Sequence, residues 1–139
     1  MTETAQYDLI LHHIGCVTVN IEQSKNIYSG SLGFTNISAT YTITNQKVKV
    51  CFIETAPGVY LELVEPIGYI PFLSKILKSN NHFYHTGYLT GNFKATLQSM
   101  VNNKLYLISQ FESEAFGNRK CAFLCTKERH LIELIQSAG

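Results

Sequence analysis

Apolar residues, several of them β-branched, run almost unbroken over residues 9–19, a length that suits a buried strand. Asn20 then stands where a helix cap is needed, with Gln23 three residues on in the capping-box position. The helical spacing puts Ile21, Tyr28 and Leu32 on one apolar side, and Gly33 ends the run. Segments 34–44, 47–54 and 59–64 follow as strands, rich in β-branched or aromatic residues, with Pro57 and Gly58 turning the chain before the last. A connector, 65–81, holds Pro71 ahead of Phe72, Leu73, Ile76 and Leu77, which reads as a short amphipathic helix serving as a hinge, a lid or a plain linker. After it the pattern restarts: strand 82–89, helix 92–101, then strands 105–111, 119–125 and 130–136. The order is βαβββ, connector, βαβββ, with modules at about 9–64 and 82–136 of one 139-residue domain.

The restart is visible in the residues themselves. An offset of 72 carries His13, Gly15, Thr18 and Asn20 onto His85, Gly87, Thr90 and Asn92, and Ile21 onto the apolar Phe93. At the far end of each half, an offset of 71 carries Leu61, Glu62, Leu63 and Val64 onto Ile132, Glu133, Leu134 and Ile135. Each half therefore begins on a His strand and finishes on a Glu strand. Strand side chains alternate with period two, so Glu62 and Glu133 must turn away from the helix-packed face taken by their apolar neighbours. If the halves pack with pseudo-two-fold symmetry, two imidazoles and two carboxylates converge, a donor set for zinc, nickel, cobalt, manganese or iron. A lone His in an apolar strand is more often a packing residue than a ligand. The recurrence is what singles out His13, Glu62, His85 and Glu133, whereas His12, His82 and His130 have no counterpart and read as surface or packing positions.

Composition narrows the function. Eleven basic residues against ten acidic ones, with Arg119 and Arg129 the only arginines, cannot supply the basic stripe that nucleic acid requires. Hydrophobic residues at 45% with 15% charged describe a folded, soluble chain. No segment reaches the roughly 20 apolar residues of a membrane span, and Met1 to Tyr7, with Glu3 and no Lys or Arg, lacks the pattern of a signal peptide. Cys16, Cys51, Cys121 and Cys125 lie in apolar runs without a CxxC pair, so the expectation is free thiols and a cytoplasmic protein.

The opening LHHIGCVTVNIEQSKNIYSGSLGF, with VYLELVEP, HFYHTGY and HLIELIQ, resembles the vicinal oxygen chelate superfamily, which includes glyoxalase, methylmalonyl-CoA epimerase, extradiol dioxygenases and fosfomycin or bleomycin resistance proteins. The resemblance implies an α+β fold of two βαβββ modules forming a U-shaped, partly closed mixed β-barrel with helices outside. It implies metal ligands at His13, Glu62, His85 and Glu133, the same four residues. QKVKVCFIETAPGVYLELVEP, IPFLSKIL and FGNRKCAFLCTKERHLIELIQ are most similar to the methylmalonyl-CoA epimerase type. A Glu at position 62 speaks against dioxygenase and fosfomycin-type members, which leave that strand without a ligand.

The resemblance implies a metal-dependent isomerase or epimerase that removes an α-proton from a small carbonyl compound, such as an acyl thioester, and stabilises the enediolate. Glu133 is the implied base and Glu62 the alternative. One departure stands out: Asn45 occupies the place of the epimerases' second carboxylate, and an amide cannot accept a proton at neutral pH. Alternation would set Asn45, Lys47, Lys49 and Cys51 on one strand face, where a lysine could hold an anionic substrate group, as could Arg119. A glyoxalase-like lyase, needing one base, and a non-catalytic binding or resistance protein are the alternatives. Homodimers are common among such single-chain members, so a homodimer is expected.

Overall fold

The computed structural model describes residues 7–138, so the reading of Met1 to Gln6 as lacking a leader lies outside the described residues. Strand β1 (Ile10–Val17) leads to helix α1 (Ile21–Asn26), which continues through a π-helical turn, Ile27–Ser31. Strands β2 (Tyr41–Ile43), β3 (Val48–Ala56) and β4 (Val59–Pro66) precede helix α2 (Pro71–Lys78). Strand β5 (Phe83–Thr90), helix α3 (Phe93–Asn102) and strands β6 (Tyr106–Ser113), β7 (Arg119–Cys125) and β8 (Leu131–Gln136) complete the order, with a 3-10 turn at Glu114–Phe116.

The predicted order βαβββ, connector, βαβββ is present, with three local differences. Segment 34–44 yields only the short β2 and an isolated bridge between Ile37 and Ile53. Leu32 is exposed rather than packed, because the π-helical turn changes the residues per turn and rotates it off the apolar side. The Asn20 side chain accepts from the Gln23 amide as a cap should, but the Asn20 amide pairs with Thr18 Oγ1, so the reciprocal half of the capping box is not made.

The described residues divide into two compact units, one spanning His13–Tyr84, the other joining the segment up to His12 with the chain from His85 onward. In the first, the strand order is β2-β3-β4-β1, with β1 parallel to β4 and the other pairs antiparallel. In the second it is β6-β7-β8-β5, with β5 parallel to β8. A parallel neighbour to the module's first strand is what brings the His strand and the Glu strand side by side.

Each unit has its own apolar core between helix and sheet, and the two correspond position by position. Ile21, Cys51, Ile53 and Leu63 form the first; Phe93, Ala122, Leu124 and Leu134 form the second, at offsets of 72, 71, 71 and 71. Burying each large aliphatic or aromatic side chain contributes roughly 1.5–3 kcal/mol, so these clusters fix each helix on its sheet. None of the four cysteines is in a disulfide, and burial pushes the Cys51 thiol up to about 11. Among the described residues no helix is long and apolar enough to cross a membrane.

The segment before β1 is tied to the second unit. Asp8 accepts from Thr90 Oγ1 and from the Gly91 amide, both at 2.7 Å, while Leu9 packs against the Phe93 core. Those two bonds, the Thr90 hydroxyl first, hold the Asp8 carboxyl below its ordinary value of 3.8.

Candidate metal centre

In β1, His13 and Gly15 share a face, and β4 places Glu62 directly beside Gly15. Since glycine presents no side chain there, the Glu62 carboxylate has room to lean toward the imidazole two residues away. His13 Nε2 lies 3.5 Å from Glu62 Oε1. On the other side of β4, Phe52 of β3 pairs with Glu62, and its ring meets the His13 ring edge to face at 5.8 Å.

The second unit repeats this piece by piece. Gly87 of β5 pairs with Glu133 of β8, which pairs with Phe123 of β7. His85 Nε2 is 3.2 Å from Glu133 Oε1, and the Phe123 ring stands edge-on to His85 at 5.3 Å. His13, Glu62, His85 and Glu133 are each at most 4% exposed. Carboxylates this buried need a cationic or hydrogen-bonding partner, which the imidazoles in part supply. Among the described residues these four form a group that could hold a metal ion, each offering one ligand atom within 4.8 Å of the others.

As the alternation predicts, Leu63 and Leu134 enter the helix-packed cores while the glutamates between apolar neighbours turn away. Sequence reasoning overlooked Phe52 and Phe123. The offset of 71 that matches the Glu strands also superimposes these two, and following it back through β3 and β7 would have found them.

The other residues singled out in the sequence are placed differently. Asn45 and Lys47 are not strand residues: they lie in the exposed turn between β2 and β3, where Lys47 adopts a left-handed φ of 56°. Lys49 does alternate with Cys51, but Cys51 packs under α1, so Lys49 lies on the helix side of the sheet and opposite the Phe52 side that meets His13. Lys49 therefore does not share the sheet face of Phe52 and His13. Arg119 donates from Nε to the Phe116 carbonyl at 2.7 Å and sets its guanidinium 5.9 Å over the Phe116 ring, which fixes the turn before β7. His12 packs its ring on Phe116, and His82 and His130 are exposed.

Comparison with known proteins adds to this geometry. The sequence model of the glyoxalase/bleomycin resistance protein/dioxygenase superfamily matches residues 12–123. The uncharacterized protein YqjC of Bacillus subtilis (strain 168) is 29% identical over 132 residues, 93% of either chain. Among solved structures, methylmalonyl-CoA epimerase from Mycobacterium tuberculosis superimposes with a TM-score of 0.83 at 15% identity, over 100% of this chain and 94% of the other. A Streptomyces coelicolor methylmalonyl-CoA epimerase in complex with 2-nitronate-propionyl-CoA gives 0.77 at 22% identity, over 93% and 97%. A hypothetical protein from Bacillus halodurans C-125 gives 0.82 at 22%, over 95% and 96%. The fold these structures share is the α+β arrangement of paired βαβββ modules expected from the sequence.

Proposed function

The chain belongs to the glyoxalase/bleomycin resistance protein/dioxygenase superfamily, and from that premise we propose that it is a metal-dependent isomerase that moves an α-proton of an acyl thioester. The observation that carries the reading is the duplicated His and Glu pair at equivalent register, Gly15 beside Glu62 and Gly87 beside Glu133. Two imidazole nitrogens and two carboxylates, all buried, fit a divalent transition metal by their donor chemistry. Such an ion, when bound, supplies positive charge where a substrate carbonyl oxygen becomes anionic, worth several kcal/mol.

The chain's own residues supply the rest. A Glu133 carboxylate oxygen takes the proton from the carbon next to the carbonyl; the C–H electron pair becomes the carbon–carbon double bond of the enolate, and the carbonyl π pair moves onto the oxygen. Phe52 and Phe123 keep the neighbourhood of the imidazoles apolar, which strengthens the electrostatic effect of the charges within it. Glu62 is the candidate for the second proton transfer, because an amide at position 45 cannot make it. The similarity to epimerases, whose solved complexes hold methylmalonyl-CoA or 2-nitronate-propionyl-CoA, supports a thioester as the substrate class.

Asn45 gives a second reading its place. A glyoxalase-like reaction needs only one carboxylate to carry a proton between adjacent carbons, and an amide at position 45 does not impede it. Incubation in deuterated water separates the two. Deuterium entering the α-carbon of methylmalonyl-CoA, lost in Glu133→Gln, supports the isomerase. Formation of S-lactoylglutathione from the hemithioacetal of methylglyoxal supports the lyase. Protein that carries no divalent ion and is unaffected in both assays by His13→Ala overturns both.

A further inference from the structure

The correspondence between the two units ends at the side chains behind the histidines. An offset of 71 carries Phe52 onto Phe123, but it carries Tyr60 onto Leu131 and Glu54 onto Cys125. Each imidazole has a phenylalanine ring beside it, and what backs that ring differs between the units.

In the first unit Tyr60 of β4 pairs with His13 of β1 on one side and with Glu54 of β3 on the other, so these side chains share the face of Phe52 and Glu62. The half-buried Tyr60 ring meets the Phe52 ring edge to face at 6.2 Å, and Phe52 in turn meets His13 at 5.8 Å. The Tyr60 hydroxyl donates to the Glu54 carboxylate. That carboxylate is itself held, by Asn36 Nδ2 at 2.7 Å and by the Gly58 amide at 3.1 Å, and the Glu54 amide donates to the Asn36 carbonyl at 2.9 Å. A line of contacts thus runs from the turn at Gly58 through Glu54, Tyr60 and Phe52 to His13. In the second unit Phe111 of β6 stacks on Phe123 at 5.4 Å, and Phe123 meets His85 at 5.3 Å. This backing ring carries no hydroxyl.

We propose that Tyr60, tethered through its hydroxyl to Glu54, is a positioning residue for the His13 imidazole, acting through the Phe52 ring, and that Phe111 has the same part toward His85 through Phe123. A ligand binds a metal best when its ring already stands where the ion needs it, since ordering a loose side chain costs entropy at the moment of binding. Aromatic pairs favour particular angles, so a ring fixed on its far side fixes the ring it touches. A ring beside an imidazole is not distinctive alone, for His12 meets Phe116 at 5.3 Å outside the donor set. The tether distinguishes Tyr60, because it fixes the polar end of a ring whose body lies against Phe52. This role rests on the metal reading above and not on the reaction.

Cobalt(II), whose visible absorption reports the geometry of its ligands, tests this by titration against a competing chelator. Tyr60→Leu, which gives the first unit the residue of the second, is expected to weaken cobalt affinity about fivefold and to alter the visible bands. Tyr60→Phe keeps the ring and should lose only about twofold, with the bands retained. Glu54→Ala should match Tyr60→Phe, and combining the two should add nothing, because both remove one bond. Phe111→Leu is expected to act as Tyr60→Leu does. Phe116→Leu, which takes the ring from His12, should leave cobalt affinity and bands unchanged. Wild-type affinity and bands in Tyr60→Leu overturn the inference, as does an equal loss in Phe116→Leu or additive losses in the double variant. Wild-type protein that takes up no cobalt overturns the metal reading along with it. The expected variant effects in a protein that exchanges no α-proton overturn the isomerase reading and leave the positioning role standing.

Discussion

At the start of α1 the Ile21 amide donates to Glu65 Oε1 at 2.8 Å, from the residue just past the core of β4. At the start of α3 the Gly91 amide donates to Asp8, a residue that precedes β1 and is 83 positions away in the chain. Both helix entrances also hold a paired hydroxyl, Thr18 with Ser24 and Thr90 with Thr96, and both have an Asn cap. The amide served and its supplier both differ, for Ile21 is the first residue of α1 whereas Gly91 stands just before the Asn92 cap of α3. A carboxylate at a helix N-terminus satisfies open amides and complements the dipole wherever it comes from. The His, Gly, Glu and Phe positions behave otherwise: they recur at equivalent register in both units, because a donor set requires specific side chains at specific places whereas a helix cap only requires an acceptor.

If the two half-sites are equivalent, breaking either should have the same large effect. His13→Ala and His85→Ala are each expected to reduce bound divalent metal from about one ion per chain to less than about a tenth after dialysis, read by elemental analysis. A variant that keeps its metal while the other loses it would show that only one unit supplies the ion's ligands.

The paired cores offer the next comparison. Leu63→Ala and Leu134→Ala should each cost about 2–5 kcal/mol of unfolding free energy in denaturant titration, since each removes a buried side chain against a rigid helix. A cost near zero for either would mean that its helix is not held by the cluster described. A smaller effect is expected from Gly15→Val and Gly87→Val, where the new side chain takes the space used by the neighbouring glutamate. Metal affinity should fall about tenfold in each, measured by competition with a chromogenic chelator.

The smallest effect belongs to Asp8. Its carboxyl titrates below the ordinary 3.8 in the folded chain, so the unfolded chain binds more protons in the acid range. Asp8 thus contributes stability above about pH 4 that is lost as pH falls through its lowered value. Asp8→Asn should flatten the acid limb of stability against pH, while Glu54, which is lowered chiefly by the Asn36 amide, keeps its own contribution to that limb. An unchanged acid limb would place the stabilising role of the segment before β1 in Leu9 rather than in the carboxylate.

Much of this was legible in the residues. Period-two alternation separates Glu62 from Leu61 and Leu63 without any knowledge of the partner strand, and the 72- and 71-residue offsets expose the duplicated His and Glu positions. Phe52 and Phe123 lay within the same offset but carry no ionisable group, so nothing in their chemistry drew attention to them. Asn45 and Lys47 were misplaced because a turn and a strand start differ by the φ of one residue, which a lysine rarely reveals. Leu32 was misplaced because a helical period presumes a constant turn.

The sequence by itself determined the two modules, their apolar faces and the four buried polar residues, since each depends on spacing within one strand or helix. Only the tertiary structure decided which strands lie side by side, so that Gly15 opens space for Glu62 and Gly87 for Glu133, and which distant carboxylate holds each helix start. Those choices depend on pairing between segments far apart in the chain, where the free energy comes from register and packing rather than from local residue preference.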